Sequence, residues 1–337
     1  IIQESFQQSE SLRINGPGPE LSPLMVKQLQ RKLRKVPGIS GRVTGKRLDI
    51  QPWLFVLPAI TLTFVFHYLP LTGLQIAFKD FIAPLGIWGS PWIGLEHFER
   101  FLFGPNFGRV IVNTISVSFG TLVVSWPWPI IFALSLNELR NQRLKGFIQT
   151  VSYAPHFVSV VVVVGMVFLF TSPSTGVINT FIEALGGDAV NFMVEPGWFL
   201  AIYIISENWQ HLGWGSIIYL AVLSQIDPTL YEAATIDGAS RLQKIRHVNL
   251  PHLVPIIVIQ LILQSGRILQ VGFEKVYLMQ TPLNQAASEV ISTYVYRTGI
   301  LQAQFAFATA VGLFRAVISL VLIVVVNRIA RKVSDTS

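Results

Sequence analysis

Six stretches of this chain are each long and apolar enough to cross a bilayer, and that alone excludes most soluble folds. A helix needs roughly 20 apolar residues to span the hydrocarbon core. Only helices and closed barrels can cross it with every backbone group paired. The stretches cover about Trp53–Ala77, Val110–Leu136, Phe147–Phe170, Trp198–Ser224, His252–Phe273 and Phe305–Asn327. Charged residues are 13% of the sequence, against ~25% in a soluble domain. The expected fold class is an all-α integral membrane protein with about six transmembrane helices. Trp126-Pro127-Trp128-Pro129 predicts a kink in the second span, because proline removes a helix donor and crowds the preceding turn.

Lysine and arginine set the orientation, since they are retained on the cytoplasmic side. With the N-terminus inside, 18 of them fall in the tail (residues 1–52), the 137–146 and 225–251 loops and the C-terminus. Five fall outside: Lys79, Arg100, Arg109, Lys275 and Arg297. The expected topology is N-in and C-in. The net charge of +7 reflects this asymmetry, and no nucleic-acid partner is expected. The chain divides into a basic tail (1–52), a membrane-spanning domain (53–330) and a short C-terminal tail (331–337). In the first tail, Val26, Leu29, Leu33 and Val36 recur at helical spacing among basic residues. This fits either an amphipathic helix on membrane lipid or a basic arm.

Chemistry is sparse. There is no cysteine, which removes disulfides and thiolate-held metals. Thr44-Gly45-Lys46-Arg47 lacks the first glycine and the final hydroxyl of a phosphate-binding loop. His156 has no second ligand at metal spacing and is read as structural. No catalytic residue, metal or cofactor is expected in this chain.

The loop QIDPTLYEAATIDGASRLQKIRHVNLPHLVP is the most informative segment. Asp227 suits an N-cap and Pro228 the first helical position. Gly238 suits a helix end, and Ser240 with Gln243 forms a capping-box pattern. Leu250-Pro251 is expected to end the second short helix. Ala233 and Ala234 leave one face without bulk, so another protein could approach closely. An ordinary capped loop would share these features.

Glu232-Ala233-Ala234, Gly238 and Leu250-Pro251 resemble the EAA loop of permease subunits in bacterial ABC importers. The spacing is intact, with Val248 at the apolar position, and Asp237-Gly238-Ala239 is similar to the carbohydrate-uptake branch. FHYLPLTGLQIAFKDF, GSPWIGLEHF, SYAPHFVS, GWGSIIYLAVLSQIDPTLYEAA and the segment from VGFEKVYLM to ISTYVYRTGI resemble its polysaccharide-type, LplB-like permeases. The resemblance covers about residues 53–330. It implies residence in the bacterial cytoplasmic membrane and a coupling role for Glu232, Ala233, Ala234, Asp237, Gly238, Leu250 and Pro251. It also implies partners: a second related permease (in this branch a different chain), two cytoplasmic ATPases that bind ATP and Mg, and an extracytoplasmic sugar-binding protein. The long outer segments (78–109, 171–197 and 274–304) would dock that binding protein.

Polar residues inside spans mark functional candidates. Gln260, Gln264, Arg267, Val271 and Glu274 fall at i, i+4, i+7, i+11 and i+14, one narrow face of the fifth helix. Glu207, Gln210, His211 and Trp214 share a face of the fourth. The two faces are expected to meet and line a path for an oligosaccharide, with Trp209, Trp214 and Tyr219 as stacking candidates. An acidic, uronate-type sugar would suit Arg267. Alternatively Glu207, Arg267 and Arg315 form ion pairs that only hold helices together, and Arg315 is read as structural. A peptide or other polar-solute permease is the competing substrate class. A stand-alone secondary transporter would need repeated halves, which the sequence lacks.

Overall fold

The structure, a computed structural model, describes residues 50–265 and 272–334. The tail helix expected over 26–36 and the candidate Arg267 lie outside the described residues. The chain separates into two compact units, residues 1–69 and 70–337. In the first, α1 (Ile50–Thr63) continues through a wider turn at Phe64–Tyr68, where the Phe64 and Tyr68 rings stack. Its described side chains from Leu54 onwards are exposed and mostly apolar, a surface suited to lipid.

The second unit is helical. Its elements are α2 (Glu96–Leu102), α3 (Phe107–Ser125), α4 (Pro127–Asn137), α5 (Gln142–Tyr153), α6 (Val160–Phe170) and α7 (Val177–Ala184). After them come α8 (Phe199–Leu223), α9 (Pro228–Ile236), α10 (Arg241–Lys244), α11 (Leu250–Ser265), α12 (Phe273–Met279), α13 (Gln285–Ser288), α14 (Ile291–Tyr296) and α15 (Phe305–Ser334). Among the described residues, Leu54–Phe78, Phe107–Asn137, Arg241–Gln264 and Phe305–Arg328 are helical stretches long and apolar enough to cross a membrane. Where a kink is expected, only Trp126 separates α3 from α4, and its backbone stays helical, so Phe107–Asn137 runs as one helical stretch. Pro127 at the first position of α4 needs no helical donor.

The third expected span differs from a straight rod. The helix over Gln142–Phe157 and the one over Val160–Phe170 meet at 102°. Ala154-Pro155 closes α5 in a tight turn, and the Ser159 hydroxyl caps α6 by accepting from the Val162 N–H at 3.4 Å. Gln210 of α8 donates to the Val158 carbonyl at 2.9 Å, pairing a group in the bend.

Helix α8 is the hub, lying against α3 and α4 along its length. Its first half joins Phe199, Tyr203 and Ile204 to Val117, Val164, Val276 and Met279. Its second half joins Tyr219 and Leu223 to Ile130, Ala133 and Leu253. A third cluster packs Phe101 and Val110 on Ile291, Phe307 and Val311. Gly213 is where α8 touches α5: a Cβ there would overlap the Ser152 carbonyl.

Candidate functional site

The 225–251 loop is built by its caps. The Asp227 carboxylate accepts from the Thr229 N–H at 2.9 Å, starting α9 and holding the Asp227 carboxyl below the usual range. At the other end Gly238 has φ +72°, a conformation glycine adopts without a Cβ penalty. Its N–H reaches the Thr235 carbonyl at 3.1 Å, and the Ala239 N–H reaches Ala234 at 2.9 Å. This paired closure is a Schellman motif. Ser240 then opens α10 with a reciprocal capping box to Gln243.

Two side-chain contacts join α9 to the α10 segment, and a third, inside α9, orients one of them. Lys244 Nζ donates to Thr235 Oγ1 at 2.8 Å, and Thr235 Oγ1 donates to the Tyr231 carbonyl at 2.5 Å. The Tyr231 hydroxyl donates to Asn249 Oδ1 at 2.5 Å. Partial burial pushes the Tyr231 phenol above its ordinary pKa. Tyr231 and Val248 both pack against the cluster around Leu253, so the loop is anchored to the bundle. Sequence reasoning missed Tyr231, Thr235, Lys244 and Asn249; Tyr231, beside Glu232 on the same short helix, was the available signal.

Glu232, Ala233, Asp237 and Gly238 are exposed, and Ala234 is half-buried. Leu230, Ile236 and Leu242 add exposed apolar side chains. The loop therefore presents a small-residue, apolar face with one glutamate. Leu250-Pro251 does not end the second short helix as expected. A wide turn at Ile245–Asn249, in which the Leu250 N–H reaches back five residues to the Ile245 carbonyl, runs α10 into α11. The extra residue in that turn relieves the clash of a proline ring with the preceding carbonyl.

Among the described residues, the polar face of α8 meets α12 and the α5–α6 bend. Lys275 Nζ of α12 donates to Glu207 Oε2 at 2.8 Å and lies 5.2 Å from the centre of the Tyr203 ring. His211 Nδ1 lies 3.4 Å from Glu207 Oε1. His156, carried in by the α5–α6 bend, stacks on Trp214 at 4.3 Å between centres and 6° between planes. The His156 and His211 rings are 5.4 Å apart. One row thus runs Lys275, Glu207, His211, Trp214 and His156. Sequence reasoning counts Lys275 only as an outer charge, although it stands in the VGFEKVYLM motif.

Two expected groupings change. Glu274 does not continue the face of Gln260 and Gln264: it sits on the separate helix α12, which starts at Gly272 with a non-helical backbone. An unbroken helix through 274 was an extrapolation of apolar sequence. Gln260 is half-buried, and Gln264 and Glu274 are exposed. Tyr219 is 3% exposed within the core, so it cannot stack on a solute. Trp209 and Trp214 are accessible, but five residues apart they point to different sides of α8. Trp209 lines an apolar recess with Val163, Met166 and Ile205.

A buried carboxylate ties the 78–109 and 274–304 segments together. Glu289, 1% exposed, pairs with Arg297 at 2.6 Å and Arg109 at 3.1 Å. Asn179 donates to the Thr171, Ser172 and Val190 carbonyls and accepts from the Val190 N–H. Trp88, Trp92 and Phe103 stay exposed.

Comparison with known proteins agrees with this architecture. Residues 125–335 match the family described as binding-protein-dependent transport system inner membrane component. The chain is 42% identical to the polygalacturonan/rhamnogalacturonan transport system permease protein YteP of Bacillus subtilis (strain 168), over 84% of this chain and 88% of YteP. It is 41% identical to Protein LplB of the same organism, over 88% of this chain and 92% of LplB. Among solved structures, a bacterial ABC transporter involved in import of the acidic polysaccharide alginate aligns with TM-score 0.79 and 39% identity, over 90% of this chain and 99% of the other. The alginate transporter in complex with a periplasmic protein bound to an alginate pentasaccharide aligns with TM-score 0.79 and 41% identity, over 86% and 98%. By sequence and by fold, the chain belongs to the family of inner membrane components of binding-protein-dependent transport systems.

Proposed function

We propose that this chain is a permease subunit of an ATP-driven importer that carries an acidic, uronate-type oligosaccharide across the cytoplasmic membrane. The observation that carries the reading is the 225–251 loop. Its exposed face of Glu232, Ala233, Asp237 and Gly238 is braced within the loop by the Tyr231–Asn249 and Lys244–Thr235 bonds, and Tyr231 and Val248 pack it on the bundle. A rigid, small-residue lever of this kind transmits a push from a docked protein to α8 and α11, which flank it. Lysine and arginine asymmetry supports a cytoplasmic position for the loop. ATP and Mg belong to two ATPase subunits that grip the loop of this chain and that of a second, different permease. The outer segments receive a sugar-binding protein. The names of the relatives favour polysaccharide-derived, acidic cargo. Glu207, His211, Trp214, Gln260 and Gln264 are the pathway residues of this proposal. The row on α8 supplies an indole face and several hydrogen-bonding groups, as a sugar ring needs.

The test is ATPase activity of the reconstituted complex with binding protein and a panel of charged and neutral oligosaccharides. Wild type is expected to respond to uronate oligomers. Glu232→Ala combined with Gly238→Pro is expected to assemble and lose the response. Full stimulation of that variant would remove the coupling role.

A further inference from the structure

Arg315 stands in the middle of the apolar helix α15, and none of the ion pairs among the described residues includes it. An arginine at mid-span is expensive unless it meets a counter-charge or water. Here it lines an open groove of about 740 Å³ together with Ser292, Tyr296 and Thr309. That volume falls within the ~300–1,000 Å³ of small-molecule sites. Ser292 Oγ is buried and has no hydrogen-bond partner. Tyr296 is braced by the Phe273 and Tyr277 rings, each 5.0 Å away between centres. A guanidinium, an unpaired hydroxyl and a fixed aromatic ring therefore share one otherwise apolar groove.

We propose that this groove is a binding station for the carboxylate of a hexuronate unit, with Arg315 as the charge partner, Ser292 bonding a sugar hydroxyl and Tyr296 against the ring. The site is separate from the row on α8, and its cargo rests on the acidic-oligosaccharide reading of the transported solute. Depth argues for a solute rather than a lipid headgroup. Arg315 lies ten residues into α15, roughly 15 Å along the axis, near the midplane of a core about 30 Å thick. Lipid phosphates sit at its surface.

The experiment uses the complete complex in vesicles and measures uptake of a galacturonate pentamer and of its methyl ester, which keeps the sugar and loses the charge. Arg315→Gln is expected to raise the half-saturating concentration for the charged pentamer at least about tenfold, as loss of a charge-assisted hydrogen bond implies. It is expected to leave the ester within about twofold. Arg315→Lys should restore part of the affinity, and Ser292→Ala should weaken both sugars. If Arg315→Gln handles both sugars as wild type does, or impairs both equally, the station is wrong. Should Arg315→Gln fail to assemble, Arg315→Lys and Ser292→Ala decide: wild-type affinities in both would overturn the site. If the charge effect vanishes in purely zwitterionic vesicles, an anionic lipid headgroup is the ligand and the solute assignment falls. If wild type takes up only the ester, the acidic-cargo reading itself fails, and the station with it.

Discussion

Lys275 Nζ donates a 2.8 Å hydrogen bond to Glu207 Oε2, joining residues 68 positions apart. Lys275 is 4% exposed and Glu207 25%, so the lysine depends on its partner more than the carboxylate does. Glu207 also has His211 beside it.

That asymmetry sets the first prediction. Glu207→Gln leaves a buried ammonium without its counter-charge and is expected to destabilise the bundle by about 3–5 kcal/mol. Lys275→Met should be milder. The double variant should recover most of the loss, because an unpaired charge is then absent. Thermal unfolding of the detergent-purified complex measures all three, and strictly additive single effects would show that the pair is not coupled.

The contact between α5 and α8 gives a second. A methyl group on Gly213 would overlap the Ser152 carbonyl and lie 2.9 Å from the Ser152 Cβ. Backbone cannot yield as a side-chain tip can. Gly213→Ala is therefore expected to lose at least about 3 kcal/mol, the upper end of overpacking effects, and to give little folded protein. Gly165→Ala is the control, since nothing lies within 4 Å of a Cβ there. Folded yield in the membrane compares the two.

Gly238 provides a third, through backbone conformation rather than space. Its φ of +72° makes any L side chain unfavourable by about 1–2 kcal/mol, although a Cβ would meet no neighbour. Gly238→Ala should weaken sugar-stimulated ATPase activity without blocking assembly, and Gly238→Asn should retain more of it. Equal, wild-type coupling in both would mean that the loop tolerates a different turn.

The fourth concerns the brace behind the docking face. Tyr231→Phe removes the 2.5 Å bond to Asn249 and leaves the amide oxygen of a fully buried side chain unpaired, an effect of about 1–3 kcal/mol. Because the brace fixes the angle of α9, coupling should suffer more than stability. The ratio of sugar-stimulated to basal ATPase rate is the measurement, and an unchanged ratio would assign Tyr231 to packing alone.

Local chemistry in this protein was legible in the sequence. The ends of α9 and the start of α10 follow from Asp227, Gly238, Ser240 and Gln243, because each cap joins groups within five residues of one another. The long apolar helices were legible too, since length and composition decide what can cross lipid. The 3.6-residue helical repeat by itself made Glu207, His211 and Trp214 neighbours on α8.

Tertiary structure alone decided what those residues face. Lys275 reaches Glu207 because α12 begins afresh at Gly272, whose backbone is not helical, and the apolar pattern of the sequence does not show that start. The bend that carries His156 onto Trp214 required Gln210 to pair the Val158 carbonyl from another helix. Tyr219 and Trp214 stand on one helix, yet one enters the core and the other stays open, because only the packing of α4 and α11 determines which side of α8 is covered. Hydrogen bonds that close within a turn are encoded by neighbouring residues, while packing chose the partners of every group whose nearest counterpart is remote along the chain.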